Sequence, residues 1–268
     1  MISAEEKLRF SDICKGIADS ELQGDSIGTY SEKRLHKTLK AFFCDEPDHY
    51  EVRIKPDGDI GGVGESGKGG YIADIFRDGE IIEIQTGSFY SLKAKIKFYL
   101  EQTDYIVTVV HPIAGIKYLS WIDTQDGSVK SRRRSPKKGS VSDAIPELFW
   151  LSDMLSNERL HFCFPVLEVE EFRLLDGWSR DKKRGSNRFE RIPVELMDIE
   201  CVAAKNAATL FPEGLSEEFT RKDFSKLTGF RGRKLYNALT LFCNIGVIER
   251  GEKRGRSFVY RINAQKYK

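Results

Sequence analysis

Asp74 and Glu83 are the residues of this 268-residue chain best placed to do chemistry. Each acid sits within an apolar, strand-like run, where a core residue is the expected occupant, and the two runs meet at a tight Asp78-Gly79 turn. A period of two puts Ile72, Asp74 and Phe76 on one face of the first run, and Ile81, Glu83 and Gln85 on one face of the second. Pairing across the turn brings the two carboxylates within side-chain reach of each other. They repel unless one takes a proton or a cation lies between them, and a hard cation such as Mg²⁺ prefers oxygen ligands of this kind.

The elements that position these acids follow from the flanking sequence. Glu32, Leu35, Leu39 and Phe42 fall on one stripe of a helix, so Glu32 is expected to face the sheet. A strand is expected near 50–55 and a hairpin over 71–85. Ser88 or Ser91 is expected to cap a helix near 91–102, with Leu92, Ile96, Tyr99 and Leu100 inward and Lys93, Lys95 and Lys97 toward solvent. A further strand is expected near 104–110.

Over roughly residues 28–111 the chain resembles the PD-(D/E)XK nuclease superfamily, whose pattern is an acid on one strand and acid-x-Lys on the next, with a Glu on a preceding helix. Asp74 and Glu83 match the two acids, Glu32 the helix acid, and Gln85 stands at the Lys position. Gln forms hydrogen bonds but neither titrates nor carries charge. The resemblance implies an α/β fold with a restriction-endonuclease-like αβββαβ core and a mixed central sheet. It also implies that Asp74, Glu83 and the Ile84 carbonyl hold Mg²⁺ or Mn²⁺, that Glu32 binds a second ion or a metal-bound water, and that Gln85 positions the attacking water.

Composition is 40% hydrophobic and 31% charged, which suggests two domains. No apolar run of membrane-spanning length or signal-peptide pattern is present, so a cytoplasmic location and no membrane partner are expected. Cys14, Cys44, Cys163, Cys201 and Cys243 are scattered among apolar neighbours and read as reduced core thiols. His36, His49, His111 and His161 are isolated and suggest no histidine metal site.

The net charge of +2 hides an asymmetry, since residues 203–268 hold 14 Lys and Arg against 6 Asp and Glu. That balance suggests a polyanion partner. Helices are expected at Ala203–Phe211, at Arg221–Leu227 capped by Thr220, and at Gly232–Asn244 after a turn at Gly229, followed by two strands about a basic tip. This order resembles a winged helix-turn-helix domain, placed at 201–268 behind a nuclease-like domain at 1–200 with a β-rich extension. The resemblance puts Arg231, Arg233, Lys234 and Asn237 on the recognition helix and Lys253, Arg254 and Arg256 on the wing.

In the intervening region a strand is expected from Tyr118, a helix over Val141–Leu155 and a long hairpin over 161–201. The tract Lys130–Lys138, with six basic residues and no acid, reads as an exposed loop. Gly62–Gly69 approaches a P-loop pattern, but Gly69 replaces the hydroxyl residue and a strand follows, so residues 56–70 read as a glycine-rich loop beside the acids. The expected activity is metal-dependent DNA hydrolysis, with RNA as the alternative polymer and a homodimer as a compatible assembly. A non-catalytic DNA-binding regulator on the same scaffold is the alternative function.

Overall fold

The computed structural model describes residues 2–23, 34–63, 69–175, 187–255, 257–263 and 265. It is an α/β fold with a mixed central sheet. Helix α1 (Ala4–Gln23) packs on α2 (Arg34–Phe43), and Leu35, Leu39 and Phe42 of α2 are buried as the stripe predicts. Strands β1 (Tyr50–Ile54), β2 (Ile60–Val63), β3 (Tyr71–Arg77) and β4 (Glu80–Ile84) follow. Helix α3 (Lys93–Gln102) then crosses to β5 (Ile106–Val110), which lies parallel to β4, as a parallel pair requires. Residues Ile81 to Ile84 are all buried, and β5 buries Val107, Val109 and Val110, the pattern of strands covered on both faces.

Strands β6 (Ile113–Ile122) and β7 (Val129–Arg134) precede a helical run containing α4 (Ile145–Leu148), and β8 (Leu160–Leu174) and β9 (Asn187–Ala203) complete the sheet. Among the described residues the sheet runs β2-β1-β3-β4-β5-β8-β6-β7, with β9 on β8. One edge of β8 pairs first with β5, at Leu160–Cys163, and then with β6, from Val166 to Leu174. Its other edge is occupied along its length by β9.

Several expectations are corrected. Residues 60–63 are not loop but strand β2, bonded to β1, while 64–68 lie outside the described residues. The first part of the basic tract, through Arg134, is not loop but edge strand β7 against β6, whose residues are all exposed, while residues 135–138 continue as loop. The expected helix over Val141–Leu155 breaks into a 3₁₀ turn, α4 and a second 3₁₀ turn, around a Pro146 that has no N–H to give. Ala204–Leu210 is likewise 3₁₀. Leu92, not a serine, is the N-cap of α3: Ser88 Oγ donates to Glu147 and Ser91 Oγ to the Ser88 carbonyl. Cys163 and Cys201 face each other in the β8–β9 register, 4.2 Å apart between Cα atoms, and are disulfide-linked. Their separation of 38 residues in sequence concealed the pairing, and Cys14, Cys44 and Cys243 are free.

The C-terminal residues form β10 (Glu218–Thr220), α5 (Arg221–Thr228), α6 (Gly232–Asn244), β11 (Ile248–Arg254) and β12 (Ser257–Ile262). Thr220 and Asp223 close a capping box at the start of α5, and Gly229 ends it with φ +72°. The sheet order is β10-β12-β11, over a core that includes Phe211, Phe219, Phe224, Phe242 and Tyr260. Helix α6 packs on α4, and the apolar core runs unbroken between the two parts. No helix among the described residues is long and apolar enough to cross a membrane.

Gly70 sets the start of β3 against β1. Its φ is +80°, and an added Cβ would lie 2.0 Å from the Ile54 carbonyl oxygen. Gly70→Ala is expected to destabilise the fold by roughly 1–3 kcal/mol, read as a lower urea midpoint, whereas Gly127→Ala, in open space, costs less.

Candidate functional site

The β3–β4 pairing runs only from Arg77↔Glu80 to Ile75↔Ile82. One residue further along stand Asp74 and Glu83, and there a side chain replaces the ladder, since the Ile84 N–H donates to Asp74 Oδ2 at 2.7 Å. Beyond this point β3 keeps β1 as its partner and β4 keeps β5, so the acids occupy the opening between two diverging strands. Glu32 lies outside the described residues.

Each acid has a distinct environment. Asp74 is partly exposed and its Oδ2 also meets His36 Nε2, from α2, at 3.3 Å. Burial works against its ionisation, but the His36 contact, the Lys95 charge and the Ile84 N–H outweigh it and hold the carboxyl below its ordinary value. Glu83 is 2% exposed and takes Lys95 Nζ at 2.6 Å on one oxygen and the Tyr99 hydroxyl at 3.0 Å on the other. Burial, with the Asp74 charge behind it, exceeds what Lys95 and Tyr99 restore and raises its pKa to about 7. Burial and the Glu83 charge push the Tyr99 hydroxyl well up, so it stays a donor.

Lys95 is the functional candidate that reading the sequence placed wrongly. It is not directed to solvent but has a side chain only 19% exposed and lies four residues before Tyr99, on the same face of α3. That i,i+4 spacing from a buried tyrosine is the signal that could have found it. Lys93 and Lys97 do reach surface acids, Asp153 and Glu101. His36 had no such signal.

Gln85 sits beside the acids but its amide is engaged locally. Its Nε2 donates to the Ser88 carbonyl and Ser91 Oγ, and its Oε1 accepts from the Gly87 N–H. Its carbonyl lies 2.6 Å from Nδ1 of His111, whose imidazole is driven toward the neutral form mainly by burial.

Among the described residues no group of three or more His, Cys, Asp and Glu side chains is arranged to hold a metal. Asp74 and Glu83 offer carboxylate oxygens and Ile84 a main-chain carbonyl; Asp74 Oδ1 accepts no hydrogen bond from the described residues, whereas both Glu83 oxygens are engaged by Lys95 and Tyr99. That donor chemistry fits a hard divalent cation.

Of the C-terminal candidates, Arg231, Arg233, Lys234, Lys253 and Arg254 are exposed. Arg254 is shared with Glu218, and Lys253 lies over the Phe258 ring. Asn237 is removed from this exposed set: it is 6% exposed and its amide donates to the Pro146 carbonyl in the contact with α4. Arg256 lies outside the described residues.

The sequence profile of a family described as "Domain of unknown function (DUF8091)" matches residues 33–203. The chain belongs to that family. The DUF8091 match ends at the last residue of β9 and contains His36, Asp74, Glu83, Gln85, Lys95 and Tyr99. An uncharacterized protein of Treponema pallidum (strain Nichols) is 28% identical over 239 residues, covering 88% of this chain and 87% of that protein. No solved structure matches.

The raised pKa of Glu83 has a consequence for stability. Between about pH 4.5 and 7 the folded state binds the proton that the unfolded chain has released, so this group's contribution falls as pH rises through that window and is level above it. Glu83→Gln is expected to remove this component, so its stability relative to wild type rises from pH 5 to pH 7 in urea titrations; parallel curves would contradict the assignment.

Proposed function

We propose that this chain is a divalent-metal-dependent DNA nuclease with a restriction-endonuclease-like PD-(D/E)XK core and a C-terminal winged helix. The observation that carries the reading is the placement of Asp74 and Glu83 at the opening of the β3–β4 hairpin with the Lys95 ammonium 2.6 Å from Glu83. The order α2, β1, β3, β4, α3, β5 agrees with that core, with β2 as an addition, and β10, α5, α6, β11 and β12 follow the order of a winged helix.

Asp74, Glu83 and the Ile84 carbonyl would hold Mg²⁺ or Mn²⁺, which when bound lowers the pKa of water and neutralises charge on a phosphate. Lys95 supplies from α3 the ammonium that position 85 lacks. Beside Glu83 it can hold charge on a substrate phosphate or orient a water, which Gln85 does not do while its amide clamps the turn to Ser91. His36 and the Ile84 N–H keep Asp74 ionised and aimed into the opening. Tyr99 fixes the second Glu83 oxygen.

The exposed Arg231, Arg233 and Lys234 at the start of α6, with Lys253 and Arg254 on β11, would contact DNA. The clamped Gln85 also favours a second reading, a non-catalytic DNA-binding regulator. The activity would be exercised in the cytoplasm.

Plasmid and linear DNA, with structured RNA in parallel, are incubated with Mg²⁺, Mn²⁺ or EDTA. Metal-dependent DNA cutting is expected, lost in Asp74→Ala and Glu83→Ala and reduced about 10²–10³-fold in Lys95→Met, the scale of removing one transition-state donor. Full activity of Lys95→Met would remove its assigned role. Salt-sensitive DNA binding without cutting would establish the regulator, and preferential RNA cutting would reassign the substrate.

A further inference from the structure

A cleft of about 350 Å³ opens immediately beyond Gln85, between Thr86, Gly87 and His111 on one side and Lys234 of α6 on the other. Its walls carry Lys117, Lys137, Arg188, Arg191 and Lys234 against only two acids, Asp143 and Glu147. Both acids are already engaged. Asp143 pairs with Lys137 at 2.6 Å and accepts from the Ser140 N–H, while Glu147 accepts from Ser88 Oγ at 2.8 Å and the Phe89 N–H.

Beneath the cleft, Glu171 is 2% exposed and accepts from Arg173 at 2.6 Å and Arg191 at 2.9 Å, with Lys117 at 3.6 Å. One buried carboxylate therefore serves three cations. Arg188 and Lys234 have no ion pair among the described residues, and Arg191 Nε is buried without a hydrogen-bond partner. Burial and the neighbouring Arg191 hold both Lys117 and Arg188 below their ordinary values, the strain of like charges gathered without enough counter-charge. Arginine forks and a lysine around a cavity of this size suit a tetrahedral oxyanion.

We propose that this cleft seats a backbone phosphate of the nucleic acid, anchoring the strand between the candidate site and α6; the assignment rests on the nuclease reading for its choice of polymer. The position favours a strand over a free ion. A smaller cavity lined by Leu35, Thr86, Arg188, Glu190 and Arg191 shares three residues with the cleft and leads to α2, whose His36 touches Asp74. The basic lining of the cleft thus runs from Arg188 and Arg191 of β9 to Lys234 in the first turn of α6. Arg188 and Arg191 belong to β9 and Lys234 to the C-terminal module, so the anchor is assembled only when the two parts pack together.

The test is fluorescence anisotropy of a labelled duplex of about 20 base pairs over a KCl series, in EDTA so that affinity is read apart from cleavage. Arg188→Glu and Lys234→Glu are exposed changes, each expected to weaken binding about tenfold or more and to lower the salt slope by about one or more, while Arg188→Lys, which keeps the charge but loses the fork, weakens binding less than Arg188→Glu and leaves the salt slope near wild type. Lys253→Glu, on β11, serves as the charge-matched comparison. Wild-type affinity in both cleft variants with weakening in Lys253→Glu would overturn the anchor and leave DNA binding intact. Unchanged duplex affinity, with thermal stabilisation by inorganic phosphate that Arg188→Glu abolishes, would assign the cleft to a free phosphate and overturn the nucleic-acid assignment. Absence of duplex binding by the wild-type chain would overturn both, whereas binding lost in the cleft variants supports the anchor even if no DNA is cut.

Discussion

A carboxylate buried in the middle of the sheet is the constraint from which the rest of this structure can be understood. An isolated ionised acid in such a place costs several kcal/mol, and Glu83 is tolerated because α3 brings Lys95 and Tyr99 to its two oxygens. That arrangement ties α3 to β4, and α3 is also the crossover that lets β5 lie parallel beside β4. The opening of the β3–β4 ladder at Asp74 completes it by releasing the Ile84 N–H to the second acid. Compensation is incomplete, as the Glu83 pKa of about 7 shows, and a group poised there is suited to exchanging a proton or a cation.

The same problem recurs on β8 with the opposite charge balance. Glu171 is buried among Lys117 of β6, Arg173 of β8 and Arg191 of β9, so three neighbouring strands are held together by one acid. Here the carboxyl is held at about 2 despite burial, because the Arg191 and Arg173 hydrogen bonds and the Lys117 charge prevail. The acid-rich opening and the base-rich cleft lie on either side of Gln85, Thr86 and Gly87. The C-terminal module closes the cleft through Lys234 and is fixed to the rest by Asn237 on Pro146 and Asn244 on Ser152. A site that uses both parts needs them in one relative position, which that packing supplies.

Much of the route to the acids was legible because local periodicity governs it. Leu35, Leu39 and Phe42, the Asp78-Gly79 turn, and Ile96, Tyr99 and Leu100 fall where spacing puts them. Periodicity describes a residue's own element, however, and not what the opposing element brings. A lysine is by default expected toward solvent, and the partner that turns Lys95 inward, Glu83, lies twelve residues earlier on β4 beneath α3. The Cys163–Cys201 link, the burial of Asn237 and the Glu171 cluster are likewise products of strand register or helix docking. The exposure of the β7 residues follows from their charge, but charge alone does not separate a loop from an exposed edge strand.

The most direct measurement of the central claim is calorimetric titration of Mn²⁺ into the 268-residue chain at pH 7.5, without nucleic acid, for wild type, Asp74→Asn and Glu83→Gln. The account predicts saturable binding in the wild type that both substitutions abolish while leaving the far-ultraviolet circular dichroism unchanged. Equal Mn²⁺ binding by all three folded proteins would contradict it, because the two carboxylates would then have no part in holding a cation.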